Sequence, residues 1–550
     1  MEARTRTVEE WFSSIRQGQV TLPRFQRFEA WDRSRIQGVL ENILREPSLP
    51  IGALLVLEIG DEELFHSRPI VGAPDAADKP NLHLLDGQQR MTALWRSLTR
   101  DYDDLLLFVS LENGAHHPTV EAFRRWERKG VPQPVWAHDN QAVFERGLIP
   151  VDILEPGSRG EKKADAFCDM VGADRAFDKE IMRLRQRIAS YKIPFLSLPV
   201  ETEKETALDV FINMNTSAAP LKDFDIVVAQ LESAVGESLH DMMAELHQEV
   251  PTLTDYRNNE DIALSVGALL NGKAPLKKTY LEKSFGNELA DVWPRVAEGI
   301  KRGVAFLHEE AMFSDKLVPT DVAVYLVSAL WGAVPEEGTD AEGRARTIIR
   351  KALWRAAFTD RYLKTAATRA YADHRDIAAL VSDKNSEAVP ALFNEDENPL
   401  PSPEELMRAG WPTKRDRLGR AILCASLRSG GLDFADGARA SAESVKKREY
   451  HHIFPVATLE GDREDARVNR ALNCALITWK TNRKIAANSP EQYLKARAND
   501  AHLGEGEVRH RLGSHLIPYD ALIAGDYEQF IAERAELVSG TMRTLCSGQN

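Results

Sequence analysis

Cysteine is scarce in this chain. Four residues, Cys168, Cys424, Cys474 and Cys546, are scattered over 550 positions with no CxxC pair. That pattern argues against a disulfide scaffold and against a cysteine-ligated zinc, and it fits a reducing cytoplasm. Long apolar runs are missing too. No stretch reaches the roughly 18 residues that span a bilayer, and the opening MEARTRTVEEWF lacks the apolar core of a secretory signal. There is no GxxxxGK[ST], so a P-loop is excluded, and neither an internal repeat nor a long low-complexity tract is present. Positive charge is in deficit: 70 Lys and Arg stand against 84 Asp and Glu, a net charge of −14. An acidic total does not advertise nucleic acid, but only the local field meets a phosphate. From Ser441 to Asp500, eleven cations face eight carboxylates, a balance of +3.

What remains is a soluble composition, 43% hydrophobic and 28% charged, on a chain too long for one core. Three regions are expected. Region 1–230 mixes helix and strand signals. DRSRIQGVLENIL places Ile36, Leu40, Ile43 and Leu44 on one helical face, with Asp32 as its cap. IGALLVLEI, LHLL and IPFLSLPV read as short buried strands, and 66–82 as a surface loop. Region 231–430 is mostly helical, with DVAVYLVSALWGAV and the Ala-rich ARTIIRKALWRAAFTDRYLKTAATRAYA as its strongest segments. Region 431–550 follows SGGLDFADG.

Two constellations carry chemistry. In NLHLLDGQQRMTALWRSL a strand changes to a helix, Met91, Leu94, Trp95 and Leu98 following helical spacing, with Asp86-Gly87 as the turn. Such a turn aims free backbone N–H groups at a crevice, which suits a phosphate. Arg90 adds a bidentate charge there, and Gln88 and Gln89 can hydrogen-bond a base or ribose. The plain alternative is that Asp86 only caps the helix. A second polar cluster, LPRFQRFEAW, sets Arg24, Gln26 and Arg27 among aromatics, as a strand whose basic side faces the same crevice. PxxQR followed by DGQQR-x-T-x-L resembles the N-terminal domain of GmrSD-type proteins, which are modification-dependent (type IV) restriction enzymes and related phage-defence proteins. The resemblance covers about residues 8–230 and implies a ParB/sulfiredoxin-like α/β domain that binds and hydrolyses a nucleoside triphosphate. A third landmark of that family, F-x-x-x-N-[ST]-x-G-x-x-L, is met by VFINMNTSAAPL at Phe211, Asn215, Thr216 and Leu221, with Ala218 or Ala219 where glycine is usual.

The second constellation is REYHHIFPVATL, followed by RALNCALITWKTNRKIAANSPEQYL. Strand, loop, strand and helix in that order resemble the ββα-metal plan of a His-Me finger (HNH) nuclease. A neutral histidine, with an ordinary pKa of about 6.5, can take the proton of an attacking water, and an asparagine carbonyl can orient its ring through the other nitrogen. Carried over from the D/E-H-I-x-P pattern, His452 is the general base. His451 stands where an acidic metal ligand is common, which would admit Mn²⁺ beside Mg²⁺. Asn473 matches the middle asparagine that holds the loop and the base, and Asn482 the last metal ligand. Arg483 or Lys484 would contact a DNA phosphate. Neighbours on a strand point to opposite faces, so a zinc shared by both histidines is disfavoured.

The expectation is a multidomain α+β chain: a ParB/sulfiredoxin-like domain, a helical middle and a C-terminal His-Me finger nuclease. It would be a cytoplasmic defence endonuclease acting on double-stranded, modified phage DNA, regulated by a nucleoside triphosphate, as a homodimer if it assembles. The alternative is a nucleotide-gated, ParB-like DNA-binding regulator whose nuclease centre is degenerate.

Overall fold

In the computed structural model every residue is described except 1, 27–30, 62, 78, 112–116, 216–221, 335–339, 384, 414–415, 457–458, 460–465, 479–480, 483–487 and 500–502. The chain divides into two compact units, Met1–Leu239 and His240–Asn550. The stretches expected as a helical middle and a nuclease domain therefore lie in one unit. Buried charge explains the union. Glu310, fully buried, accepts hydrogen bonds from Arg350 at 2.8 Å, Trp354 at 2.8 Å and Arg428 at 3.2 Å, joining segments far apart in sequence. A buried carboxylate persists only with such partners.

The first unit is built on a six-stranded mixed sheet of β1 (Glu2–Thr7), β2 (Val20–Pro23), β3 (Leu54–Glu58), β4 (Ser67–Arg68), β5 (Leu82–Asp86) and β11 (Lys192–Leu198). The strand order is β1-β11-β3-β5-β2-β4. Hence β2 and β5 run side by side and parallel, Val20 opposite Leu82 and Thr21 opposite His83. Between β5 and β11 come β6 (Leu105–Ser110), β7 (Thr119–Arg124), β8 (Trp126–Arg128), β9 (Val131–Gln133) and β10 (Leu148–Pro150). Of these, β10-β6-β7 form a second sheet and β8-β9 a separate ribbon. The expected loop at 66–82 contains β4, which exists because the edge of β2 offers it a partner, Leu22 opposite Arg68. The helix Arg33–Leu44 has Asp32 as its cap, accepting from Arg35 N at 2.9 Å, and buries Ile36, Leu40, Ile43 and Leu44 as its periodicity dictates. With Trp11, Phe12, Val56, Leu84 and Trp95 they form one continuous core.

The second unit is helical up to Arg428, after which β12 (Arg448–His452) and β13 (Cys474–Thr478) pair antiparallel. The helix Tyr527–Cys546 supports this hairpin through Arg534. Its buried guanidinium donates to the carbonyls of Leu472, Cys474, His515 and Leu516. Among the described residues no helix is long and apolar enough to cross a membrane.

Candidate functional sites in the two units

In the first unit the parallel strands β2 and β5 end at the same edge of the sheet, so PRFQ and DGQQR leave side by side. This is where open α/β sheets place ligands, beyond the carboxyl ends of parallel strands. PRFQ is not the strand expected of it. Strand β2 stops at Pro23, and Arg24–Gln26 form a turn, with Arg24 N donating to His66 O and Gln26 N to Pro23 O. The reason is Gln26, buried, whose Nε2 donates to Leu84 O at 2.7 Å and Leu85 O at 3.0 Å. It clamps the turn to β5, so its side chain faces the sheet rather than a crevice. Arg24 is exposed and Arg27 lies outside the described residues.

Beside this turn the helix Gln88–Thr99 begins on Gly87 at φ +95°, with no side-chain cap. Asp86 is therefore not the cap. It takes Arg90 Nη2 at 3.1 Å, while Arg90 Nη1 donates to Ile51 O at 3.0 Å. Glycine is required at 87 twice over: its φ is left-handed, and a Cβ there would sit 2.2 Å from Leu54 Cδ2. The first-turn amides of the helix thus point outward past Gly87 with only the intrahelical pair Asp86–Arg90 beside them. Gln88 is buried and Gln89 half-buried. The third landmark, on the helix Lys204–Asn215, approaches through Phe211, whose ring lies 5.0 Å from Phe25. The side chain of Asn215, and Thr216 to Leu221, lie outside the described residues.

In the second unit the register sets His451 opposite Ala475 and His452 opposite Cys474. Strand alternation then sends the two imidazoles to opposite faces. His451 is buried, flanked by Phe434 and Tyr493, and its Nδ1 lies 2.9 Å from Asn482 Oδ1. The same amide donates from Nδ2 to Glu449 Oε2 at 3.2 Å, two residues back on the same face of β12. With Asn482 Oδ1 as acceptor, Nδ1 carries the proton and the lone pair is on Nε2. That Nε2 is buried and has no partner among the described residues. Burial pushes His451 down to about 4, with His452 adding to the effect and Asn482 opposing it, so the ring stays neutral at cellular pH.

These side chains fit a metal of one kind only. Among the described residues there is no group of three or more His, Cys, Asp or Glu placed to hold an ion, so a closed structural set does not form there. One imidazole, one amide oxygen and one exposed carboxylate suit a divalent cation that keeps water and takes phosphate oxygens. An orphaned imidazole nitrogen whose partner N–H is oriented by a carbonyl is how protein ligands to metals are prepared.

His452 is half-buried on the other face. Its Nε2 lies 3.1 Å from Asn469 Oδ1, and the indole of Trp411 stacks on its ring at 4.1 Å between centroids and 21° between planes. The asparagine that orients His452 is thus Asn469, not Asn473. Asn473, fully buried, spends its amide on the loop: Oδ1 accepts from Phe454 N at 2.8 Å, and Nδ2 donates to Phe454 O at 3.1 Å and Val468 O at 3.0 Å. It fixes the path of the chain on both sides of the loop that carries Asn469. Sequence reading missed Asn469, Trp411 and Glu449. Trp411 arrives because Gly410 forms a bridge with Arg470 and Ala471 N donates to Ala409 O at 2.9 Å.

One more residue was missed. Asp433, fully buried, receives Thr478 N at 2.7 Å and the Thr481 hydroxyl at 2.7 Å, besides the amides of Ala435 and Asp436. Burial pushes its carboxyl up, but these four donors outweigh it and the net displacement is downward. Asp433 therefore holds the turn from which Asn482 reaches His451. Thr481 and Asn482 have helical backbone, and Arg483 and Lys484 lie outside the described residues.

Comparison with known proteins gives two findings. The uncharacterized protein MJ0686 of Methanocaldococcus jannaschii is 22% identical over 520 residues, covering 87% of this chain and 84% of that protein. Residues 8–232, nearly all of the first unit, match the family described as GmrSD restriction endonuclease, N-terminal domain.

Proposed function

We propose that this chain is a phage-defence DNA endonuclease in which the C-terminal hairpin hydrolyses phosphodiester bonds and the first unit binds a nucleoside triphosphate that regulates cutting. The hairpin carries this reading. It divides two adjacent histidines between two tasks, His451 held against Asn482 and Glu449 on one face, His452 against Asn469 on the other. The restriction-family match of residues 8–232 makes DNA the substrate class that fits.

Asn469 fixes the chemistry of His452. With its Oδ1 accepting from Nε2–H, the basic lone pair resides on Nδ1. A neutral imidazole in that tautomer accepts a proton from water as the water attacks phosphorus. Trp411 holds the ring plane, and the loop fixed by Asn473 keeps Asn469 in reach. His451, Asn482 and Glu449 would hold Mg²⁺ or Mn²⁺, which when bound neutralises charge on the scissile phosphate and the leaving oxygen. In the first unit, the uncapped amides after Gly87 would receive phosphate oxygens, with the Asp86–Arg90 pair rearranging to meet them.

The test is a cleavage panel of modified and unmodified duplexes with Mg²⁺ or Mn²⁺, with and without each nucleoside triphosphate. His452→Ala should lower cleavage by about 10²–10⁴-fold, the usual worth of a general base, while calorimetric nucleotide binding is kept. Cutting at the wild-type rate by that variant would sink the assignment.

A further inference from the structure

The ribbon formed by β8 and β9 lies apart from both sites, and its chemistry is unlike the rest of the surface. Arg124, Arg125, Arg128 and Lys129 set four cations against the single Glu127 in a chain whose net charge is −14. Among the described residues none of the four is ion-paired. The turn is tight, Lys129 at φ +54° followed by Gly130 at φ +77°, the left-handed pair that matches the twist of a two-residue hairpin.

Register sorts the side chains. Trp126 stands opposite Gln133 and Arg128 opposite Val131, all on one face, whereas Glu127 stands opposite Pro132 on the other. The lone carboxylate is thus segregated from the face that carries the cation and the aromatic. Trp126 and Val131 are each 48% exposed. A free indole flanked by unpaired guanidinium groups is costly on a surface that never meets a partner. The root, by contrast, is firm: Phe123 packs edge-on against Trp136 at 4.9 Å, Phe108 lies 5.6 Å from the same indole, and Arg146 covers it at 4.9 Å.

We propose that this ribbon is a contact surface for duplex DNA, with Arg128 and Lys129 on phosphates and Trp126 laid against the sugar–base wall of a groove. The charge separation selects a polyanion. The shape selects a duplex, because a two-stranded ribbon is what the major groove, about 12 Å wide, admits besides a helix. The inference rests on the nuclease reading given above, since it assigns that reading's substrate a place to bind.

Fluorescence anisotropy of the full chain on a short labelled duplex, over a range of salt concentrations, tests it. Arg128→Ala with Lys129→Ala should weaken binding about tenfold or more at low salt. It should also flatten the log–log salt dependence by about 2, at about 0.9 per phosphate released. Trp126→Ala should weaken binding with the slope kept, and Trp126→Phe should restore much of it. All the changes are at exposed positions, so circular dichroism should not move. Unchanged affinity and slope in the double variant, with the wild type binding, overturn the ribbon, as does a wild type that does not bind the duplex. The nuclease reading fails separately, when wild type and variants bind DNA but none cuts it with either metal and any nucleotide.

Discussion

Asn473 offers the sharpest test of how the hairpin is built, because its amide makes three hydrogen bonds with no exposure to water. Asn473→Ala leaves one buried N–H and two buried carbonyls, on Phe454 and Val468, without partners. At about 1–1.5 kcal/mol for each lost bond, the local cost is about 3–4 kcal/mol. Asn473→Asp is more informative. One carboxyl oxygen still accepts from Phe454 N, but the other now faces two carbonyls and repels them unless it carries a proton. The folded pKa of the introduced acid is therefore raised. By linkage, its stabilisation is present below the unfolded value of about 3.9 and is lost as pH rises through the folded value. A chain of two units need not unfold in one step, so the readout must be local. Amide hydrogen exchange of the segment Tyr450–Leu459 should lose a factor of about 10²–10³ in protection in Asn473→Ala, which is 3–4 kcal/mol at about 1.4 kcal/mol per decade. In Asn473→Asp protection should return in part on acidification. Wild-type protection in Asn473→Ala, or the same protection at acid and neutral pH in Asn473→Asp, refutes the loop-fixing role.

Asp433→Asn should loosen the turn at Thr478–Thr481 and lower cleavage, with His451 itself untouched. Because the folded pKa of Asp433 is depressed, its stabilisation is full above the unfolded value of about 3.9 and fades as pH falls through the folded one. An acid titration of hairpin hydrogen exchange should show that loss in the wild type and not in the variant. Gly87→Ala should destabilise the first unit by about 1–3 kcal/mol through left-handed strain, and by more if Leu54 cannot yield. An unchanged melting temperature contradicts the close approach at 2.2 Å.

Legibility in the sequence followed the range of each interaction. The helices Arg33–Leu44 and Gln88–Thr99 were readable because their buried faces repeat at the helical period. The strand pair β12–β13 was readable from two short apolar segments around a polar loop. Gln26 was singled out for its type but placed wrongly, since nothing local says that its amide will be consumed by Leu84 and Leu85. Asn469 and Trp411 were invisible for the same cause. Neither belongs to a periodic segment, and each meets His452 only because backbone bonds elsewhere, Asn473 to Val468 and Gly410 to Arg470, bring its loop there. The division of the chain at Leu239 was masked by the buried Glu310, whose partners are scattered along the helical region.

The adjacent histidines pose a remaining question of chemistry, because the resemblance that points to them has an acid where His451 stands. His451→Asp decides what this site gains from an imidazole. The introduced carboxylate would meet Asn482 Oδ1, oxygen against oxygen, at a position only 3% exposed. Asn482 can answer by turning its amide, which gives up the bond from Nδ2 to Glu449. Both oxygens can instead stay in place if a cation sits between them. The variant should thus be less stable without metal and regain stability when Mg²⁺ is added, because carboxylate and carbonyl oxygens suit that ion whereas imidazole suits softer ones. The ratio of cleavage in Mg²⁺ to cleavage in Mn²⁺ should rise relative to wild type. A variant whose metal preference and metal-dependent stability match the wild type would remove His451 from the metal site and leave it as a packed side chain between Phe434 and Tyr493.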